Sequence, residues 1–400
     1  MTSVLSTGPP MWEARMGSPK AGNWHYGVSS LLGMALIPCL QWLHLPLMFD
    51  WVTLAIAYWF VLAAQAIFVA AILWSIGLPW QFVLGPLINR YRREPLRIVL
   101  LLIYVVILGW SLTWMKALVL TVDTVAVLEY IEGGTKGRLR QGAGTILLPA
   151  FYLFTGFLLV LAYNYVIVSV HFNFAYDPAF NAIDKWILRG GSVSDLSHWA
   201  VRTFPLPVFR FLEFIYFGMF PQIGAAIIIV GLSEGRSRGL QFVGTILMAY
   251  YLALGLFYLW PSQGPYYLCT DHFSRFPSTL QAYSIQKVLI AHALDLWSRV
   301  PIHRISTDYF IAFPCMHIAQ PLIVMWFLRR WRRMLFVLCA YDVVLISAIL
   351  LLEWHYLVDI IAGVVVAAIA IAMTDSSGVR SGLLRAGSET PVGEGMLSVG

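Results

Sequence analysis

Two clusters carry the reactive side chains of this chain. His317 follows Phe313-Pro314-Cys315-Met316, and His355 precedes Asp359 by four positions, each cluster opening an apolar run. In a helix, His355 and Asp359 share one face, one turn apart, so the carboxylate can accept a hydrogen bond from one ring nitrogen. That bond fixes the tautomer and leaves the other nitrogen basic, as a histidine nucleophile requires. Attack on phosphorus by His355, oriented by Asp359, also needs a proton donor for the leaving alkoxide. His317, at a helix beginning, can serve, and backbone N–H groups there favour phosphate oxygens. A lone histidine at a membrane interface is more often a hydrogen-bonded structural group. Three ionisable residues beginning apolar helices are a costlier arrangement and point to a polar, working interior.

The elements that must position them are membrane helices. Of 400 residues, 60% are hydrophobic and 12% charged, with mean hydropathy +0.76, which leaves too few polar side chains to solvate a globule. The fold class expected is an all-α polytopic transmembrane bundle. Spans are predicted near 28–48, 51–77, 98–121, 145–170, 208–232, 239–260, 313–329, 334–353 and 355–374. The alternation of a β-barrel is absent, and helices satisfy their own backbone groups. Residues 1–27 lack a signal-peptide layout and read as an N-terminal cytoplasmic segment. Residues 28–144 read as accessory helices, 145–375 as the catalytic membrane domain, and 376–400, rich in Gly and Ser, as a disordered tail.

A net charge of +6 and a pI near 9.1 are compatible with nucleic acid, but the basic residues sit in short loops beside spans. Membrane orientation and anionic headgroups account for them, so no nucleic-acid partner is expected. Arg329, Arg330, Arg332 and Arg333 form one basic turn, and Arg236 with Arg238 another; both are expected to be cytoplasmic. His317, His355 and Asp359 then converge on the extracytoplasmic face, together with 171–207 and 261–312. Upstream, Arg90 to Arg97 and Lys136 to Arg140 conflict if a single helix joins them. The run 98–131 would span about 50 Å as one helix, beyond a core of about 30 Å, so a hairpin or re-entrant turn near Lys116 is expected.

The four cysteines, Cys39, Cys269, Cys315 and Cys339, lack the paired spacing of a zinc site, and neither metal nor cofactor is expected. A Cys269–Cys315 disulfide is conceivable, with free thiols the simpler reading. Leu280 to Val300, interrupted by Lys287, His292, Asp295 and Arg299, reads as an interfacial helix roofing a lateral lipid entrance. Asp342, inside a span, is expected to tie helices together, and the 16 Trp to form an interface belt. A phosphate needs positive charge; the candidates are Arg304, the preferred clamp, with His303, Arg275 and His272.

Ile311-Ala312-Phe313-Pro314-Cys315-Met316-His317-Ile318-Ala319 resembles the Pro-Ser-x-His block of the type 2 phosphatidic acid phosphatase superfamily. Glu353-Trp354-His355-Tyr356-Leu357-Val358-Asp359-Ile360-Ile361-Ala362-Gly363 resembles its His-x-x-x-Asp block. Tyr258 to Pro265, and Tyr176-Asp177-Pro178 through Asp184-Lys185-Trp186 with Gly190-Gly191, are similar to segments of the inositol phosphorylceramide synthase-like branch. The resemblance covers residues 170–375 and implies a six-helix core beginning with the helix near 145–170. Its implied chemistry is metal-free transfer of a phosphoryl or phospho-alcohol headgroup, inositol phosphate among the candidates, from a phospholipid to a lipid alcohol through a phosphohistidine. Two features depart from the superfamily: no Lys-x6-Arg-Pro segment exists, with Ile349 where many members carry an Arg, and Cys315 replaces a Ser that would donate to phosphate. Three readings stay open: transferase, lipid phosphate phosphatase, and a non-catalytic protein or transporter with a decayed site. The last lacks the internal repeat common in transporters.

Overall fold

A computed structural model describes residues 138–374, apart from 172–173, 175, 270–271, 276, 299 and 301–308, together with Leu31, Leu32 and Ala35. Apart from Leu31, Leu32 and Ala35, the first three predicted spans lie outside the described residues, as do the hairpin near Lys116, Cys39 and the terminal segments. So do His303 and Arg304.

The described chain is helical: α1 Arg138–Val170, α2 Asp177–Ile187, α3 Val193–Thr203, α4 Leu206–Phe217, α5 Met219–Glu234, α6 Arg236–Leu259, α7 Pro265–Leu268, α8 His272–Arg275, α9 Gln281–Trp297, α10 Met316–Leu328, α11 Arg332–Leu351 and α12 Leu357–Thr374. Five stretches among the described residues are long and apolar enough to cross a membrane: Leu148–Val170, Leu206–Glu234, Arg236–Leu259, Arg332–Leu351 and Leu357–Thr374, with Met316–Leu328 as a shorter apolar helix. These are the six core helices expected from the sequence, and they make this an integral membrane protein. α4 and α5 together form one of these stretches, joined at Gly218.

α6 is the axis. It packs on α1, α5, α10 and α12 through Phe242, Val243, Ile246, Ala249, Ala253 and Phe257, all buried. At one end of the bundle the two basic turns meet, since Arg238 and Arg330 both pair with Glu234, at 3.4 and 3.5 Å. There the end of α12 is fastened to α6, where Gln241 donates to the Thr374 carbonyl and the Thr245 and Thr374 hydroxyls bond at 2.6 Å.

α10 has 13 residues, about 20 Å of helix, which is shorter than a bilayer core. The span expected at 313–329 therefore begins later, because 309–315 is irregular chain with bends at Phe310, Phe313 and Pro314. Irregular backbone at membrane depth survives only where its polar groups find partners in the protein. Here they do. Phe310 N–H donates to buried Asn164 of α1, Ala312 N–H to the Ser262 carbonyl, and Cys315 N–H to the Asp359 carbonyl.

α9 confirms the helix expected within 280–300. Its inner face buries Leu289, Ala293 and Leu296 against α1, and the Trp297 indole donates to the Val168 carbonyl. Gln286 reaches across to the Leu352 carbonyl at 2.9 Å. Cys269, Cys315 and Cys339 are free thiols, so the conceivable Cys269–Cys315 disulfide is not formed.

α10 and α12 approach closely because position 363 is glycine: a Cβ there would collide with the Cys315 carbonyl and press on Ile318. Small residues let membrane helices pack backbone to backbone. Gly363→Ala is expected to lower stability by about 1–3 kcal/mol through this overpacking. Gly255 of α6 faces open space, and Gly255→Ala is expected to be neutral or stabilising by up to about 1 kcal/mol. Thermal unfolding of both variants in the same detergent checks the pair; equal midpoints would remove the close approach as a constraint.

Candidate active site

Three loops, 260–264, 309–315 and 352–356, meet at the end of the bundle opposite the basic turns. They are knitted by backbone bonds. Tyr266 N–H donates to the Glu353 carbonyl, Ala312 N–H to Ser262 and Cys315 N–H to Asp359. The outer helix α2 staples two of them. Asp177, at its start, accepts from the Ser262 hydroxyl at 3.0 Å and from the Gln263 and Gly264 N–H groups at 3.1 and 2.9 Å. Asp184, two turns on, accepts from the Leu357 and Val358 N–H groups and so caps the beginning of α12, which carries Asp359. Burial pushes the Asp177 carboxyl up to about 7 and the Asp184 carboxyl up to about 6, each against the pull of its amide donors.

Gly264 is the point where the first loop touches the third. Its φ of +114° suits glycine, and a Cβ would lie 2.5 Å from the Trp354 carbonyl oxygen.

These supports bring together the residues singled out from the sequence. His317 Nδ1 lies 3.0 Å from His355 Nε2. His355 is buried, and its Nδ1 lies 2.8 Å from the Ala312 carbonyl and 3.4 Å from Asp359 Oδ2. To the expected Asp359 carboxylate the structure thus adds a second acceptor, the Ala312 carbonyl. His355 sits in the loop before α12 rather than on the helix, which brings Nδ1 to a backbone acceptor first. Asp359 Oδ2 also holds the loop by accepting the Tyr356 N–H at 2.8 Å. Whichever acceptor dominates, both take the Nδ1 proton and leave the Nε2 lone pair for chemistry.

Burial disfavours charge on His355, but the Cys315 sulfur and the Asp359 carboxylate favour it and prevail, holding the imidazole above its ordinary range. His317 is clamped from another side. Its ring stacks on Tyr216 at 4.4 Å between centroids, and Tyr216 stacks in turn on Trp354 at 5.0 Å.

A cavity opens beside the pair, lined among the described residues by Tyr216, Tyr250, Gln263, Tyr309, Gln320 and Trp354, with His317 and His355 at its edge. No Lys or Arg is among those lining residues. Of the expected phosphate-binding cations, His303 and Arg304 lie outside the described residues, as does the side chain of His272. Arg275 is turned to Cys269, donating to its sulfur at 3.2 Å. Ile349 is fully buried, so the position where many superfamily members carry an Arg is apolar here. Cys315, also fully buried, caps α10 two residues before His317.

Sequence reasoning placed Asp177 and Asp184 only within a resemblance; their roles as staple and cap went unread. The signal available was their seven-residue spacing, which puts two acids on one face of a short amphipathic helix. The Tyr216 and Trp354 stack had no local signal.

Residues 194–373 match the family model of the PAP2 superfamily, a match that takes in Cys315, His317, His355 and Asp359 but stops short of α2. No curated protein and no solved structure matches the chain. The match stands at the level of the superfamily and implies lipid phosphatase or phosphotransferase chemistry in general.

Proposed function

We propose, on the premise of a PAP2-superfamily domain over residues 194–373, that the protein is a membrane-embedded lipid phosphotransferase working through a phosphohistidine. The observation that carries this reading is the His317–His355 pair at 3.0 Å, with the Nδ1 side of His355 given over to Ala312 and Asp359.

His355 Nε2 attacks phosphorus, and the bond from phosphorus to the leaving alkoxide breaks. His317 delivers the proton that alkoxide needs. In the second half the acceptor hydroxyl loses its proton to His317 and attacks phosphorus, and the P–N bond breaks to release His355. A near-attack geometry places Nε2 about 3–3.5 Å from phosphorus, with the leaving oxygen on the far side. The direct contact between the rings must therefore part when a phosphoryl group enters. The resting bond keeps the nucleophile's lone pair occupied until then.

Transfer to a lipid alcohol, rather than to water, is supported by a site walled largely by aromatic and apolar residues, where water competes poorly. The resemblance of Asp177 to Asp184 and Tyr258 to Pro265 to the inositol phosphorylceramide synthase-like branch favours inositol phosphate as the transferred headgroup. Arg304, His303 and His272 are the proposed source of positive charge for it. The loop charges favour a site on the extracytoplasmic face.

The test is turnover of labelled phospholipids by the full-length protein in mixed micelles, with ceramide or diacylglycerol as acceptor and free phosphate followed in parallel. New phospholipid is the expected product. Phosphate release alone would replace transfer with hydrolysis, and no turnover of any lipid in the panel would overturn the enzymatic reading.

A further inference from the structure

The same cluster brings together three side chains of metal-ligating type. Cys315, His317 and His355 each offer one ligand atom, and these atoms lie within 4.8 Å of one another. Counting cysteines for paired spacing could not find it, because two of the three donors are histidines and the third is 40 residues away from one of them.

We infer that Cys315, His317 and His355 form a site for a thiophilic divalent ion of the zinc type, which competes with the lipid phosphate for His355 and silences the centre. Three features support it. The donor set is two imidazoles and one thiolate, a combination suited to zinc and not to magnesium or calcium. In tetrahedral coordination at about 2.0–2.1 Å, two imidazole nitrogens stand about 3.3 Å apart. The separation of 3.0 Å between His317 Nδ1 and His355 Nε2 is thus within a few tenths of an ångström of that spacing. Two nitrogen lone pairs this close need a proton or a cation between them. Finally, the outer support is built: His355 Nδ1 faces the Ala312 carbonyl at 2.8 Å and the Asp359 carboxylate at 3.4 Å, the arrangement that directs the opposite nitrogen to a metal and strengthens it as a ligand.

Binding replaces the Cys315 S–H bond and the proton between the two rings with bonds to the ion, and releases those protons. The thiol is what makes the set: the hydroxyl of a Ser at 315 would not ionise to a comparable ligand. His317 and His355 both line the cavity.

The test needs no turnover, so its failure is distinct from failure of the proposed reaction. Full-length protein in detergent is titrated with Co²⁺, and the sulfur-to-cobalt charge-transfer absorption is followed. One equivalent is expected to bind with that absorption, and Zn²⁺ to displace it. Cys315→Ser is expected to lose the absorption. A Cys39→Ser, Cys269→Ser, Cys339→Ser triple variant is expected to keep it, which decides the matter even if Cys315→Ser fails to fold. Asp359→Asn is expected to weaken binding roughly 10–100-fold. Absence of the band in the wild type, or its loss in the triple variant, would overturn the inference.

Discussion

His355→Ala loses lipid turnover by about 10⁴–10⁶-fold while the protein remains folded, the loss expected when the nucleophile of a covalent mechanism is removed. No neighbour can substitute. His317 stacks on Tyr216 and is assigned to the proton transfers, and Cys315 is buried at the head of α10 and does not line the cavity. The decisive measurement pairs turnover with trapping of an acid-labile phosphoenzyme from labelled lipid. The wild type should carry label on histidine and His355→Ala none. Turnover retained within tenfold would remove His355 from the chemistry. The environment of His355 adds a pH signature. Its imidazole is held above the ordinary range, and only the neutral ring attacks. The acid limb of kcat/KM is therefore expected to lie above pH 6.5, with activity rising as His355 deprotonates. A limb at or below 6.5 would show that Cys315 and Asp359 do not govern the ring.

His317→Ala should cost about 10²–10⁴-fold on phospholipid, whose alkoxide cannot leave without a proton. The expectation becomes specific when the leaving group changes. An aryl phosphate expels a stable phenolate unaided, so the variant should form phosphohistidine from it nearly as fast as the wild type. It should then stall, because His317 is also the base that activates the acceptor. A burst of phenol followed by a slow phase, with label accumulating on His355, is the expected trace. Equal losses on aryl and alkyl substrates, with no burst, would mean that His317 positions substrate rather than moves a proton.

Much of this was legible in the residues. Composition alone required membrane helices, and apolar runs located all six described core helices to within a few positions. One shift, at the head of α10, has a clear cause: Ile311 to Cys315 is as apolar as a helix, but its backbone bonds run to Ser262 and Asp359. Hydropathy reports burial, not the direction in which N–H groups point. His317, His355 and Asp359, which the structure brings together, stand out by type and spacing because buried ionisable groups are expensive in an apolar chain. Tyr216 does not, since a tyrosine among apolar neighbours carries no mark of what it stacks on 101 residues later. Ala312 escaped for a related reason: its contribution is a carbonyl oxygen, which every residue has.

The position of α2 has a mechanical consequence. It lies along the outside with Trp186 82% exposed and Ile183, Ile187 and Leu188 partly so, while Asp177 and Asp184 reach inward from its other side. One short rigid rod thus holds the loop before α7 at one end and the head of α12 at the other. Because both carboxylates sit on this one rod, the loop before α7 and the head of α12 cannot shift independently without breaking one of its two anchor points.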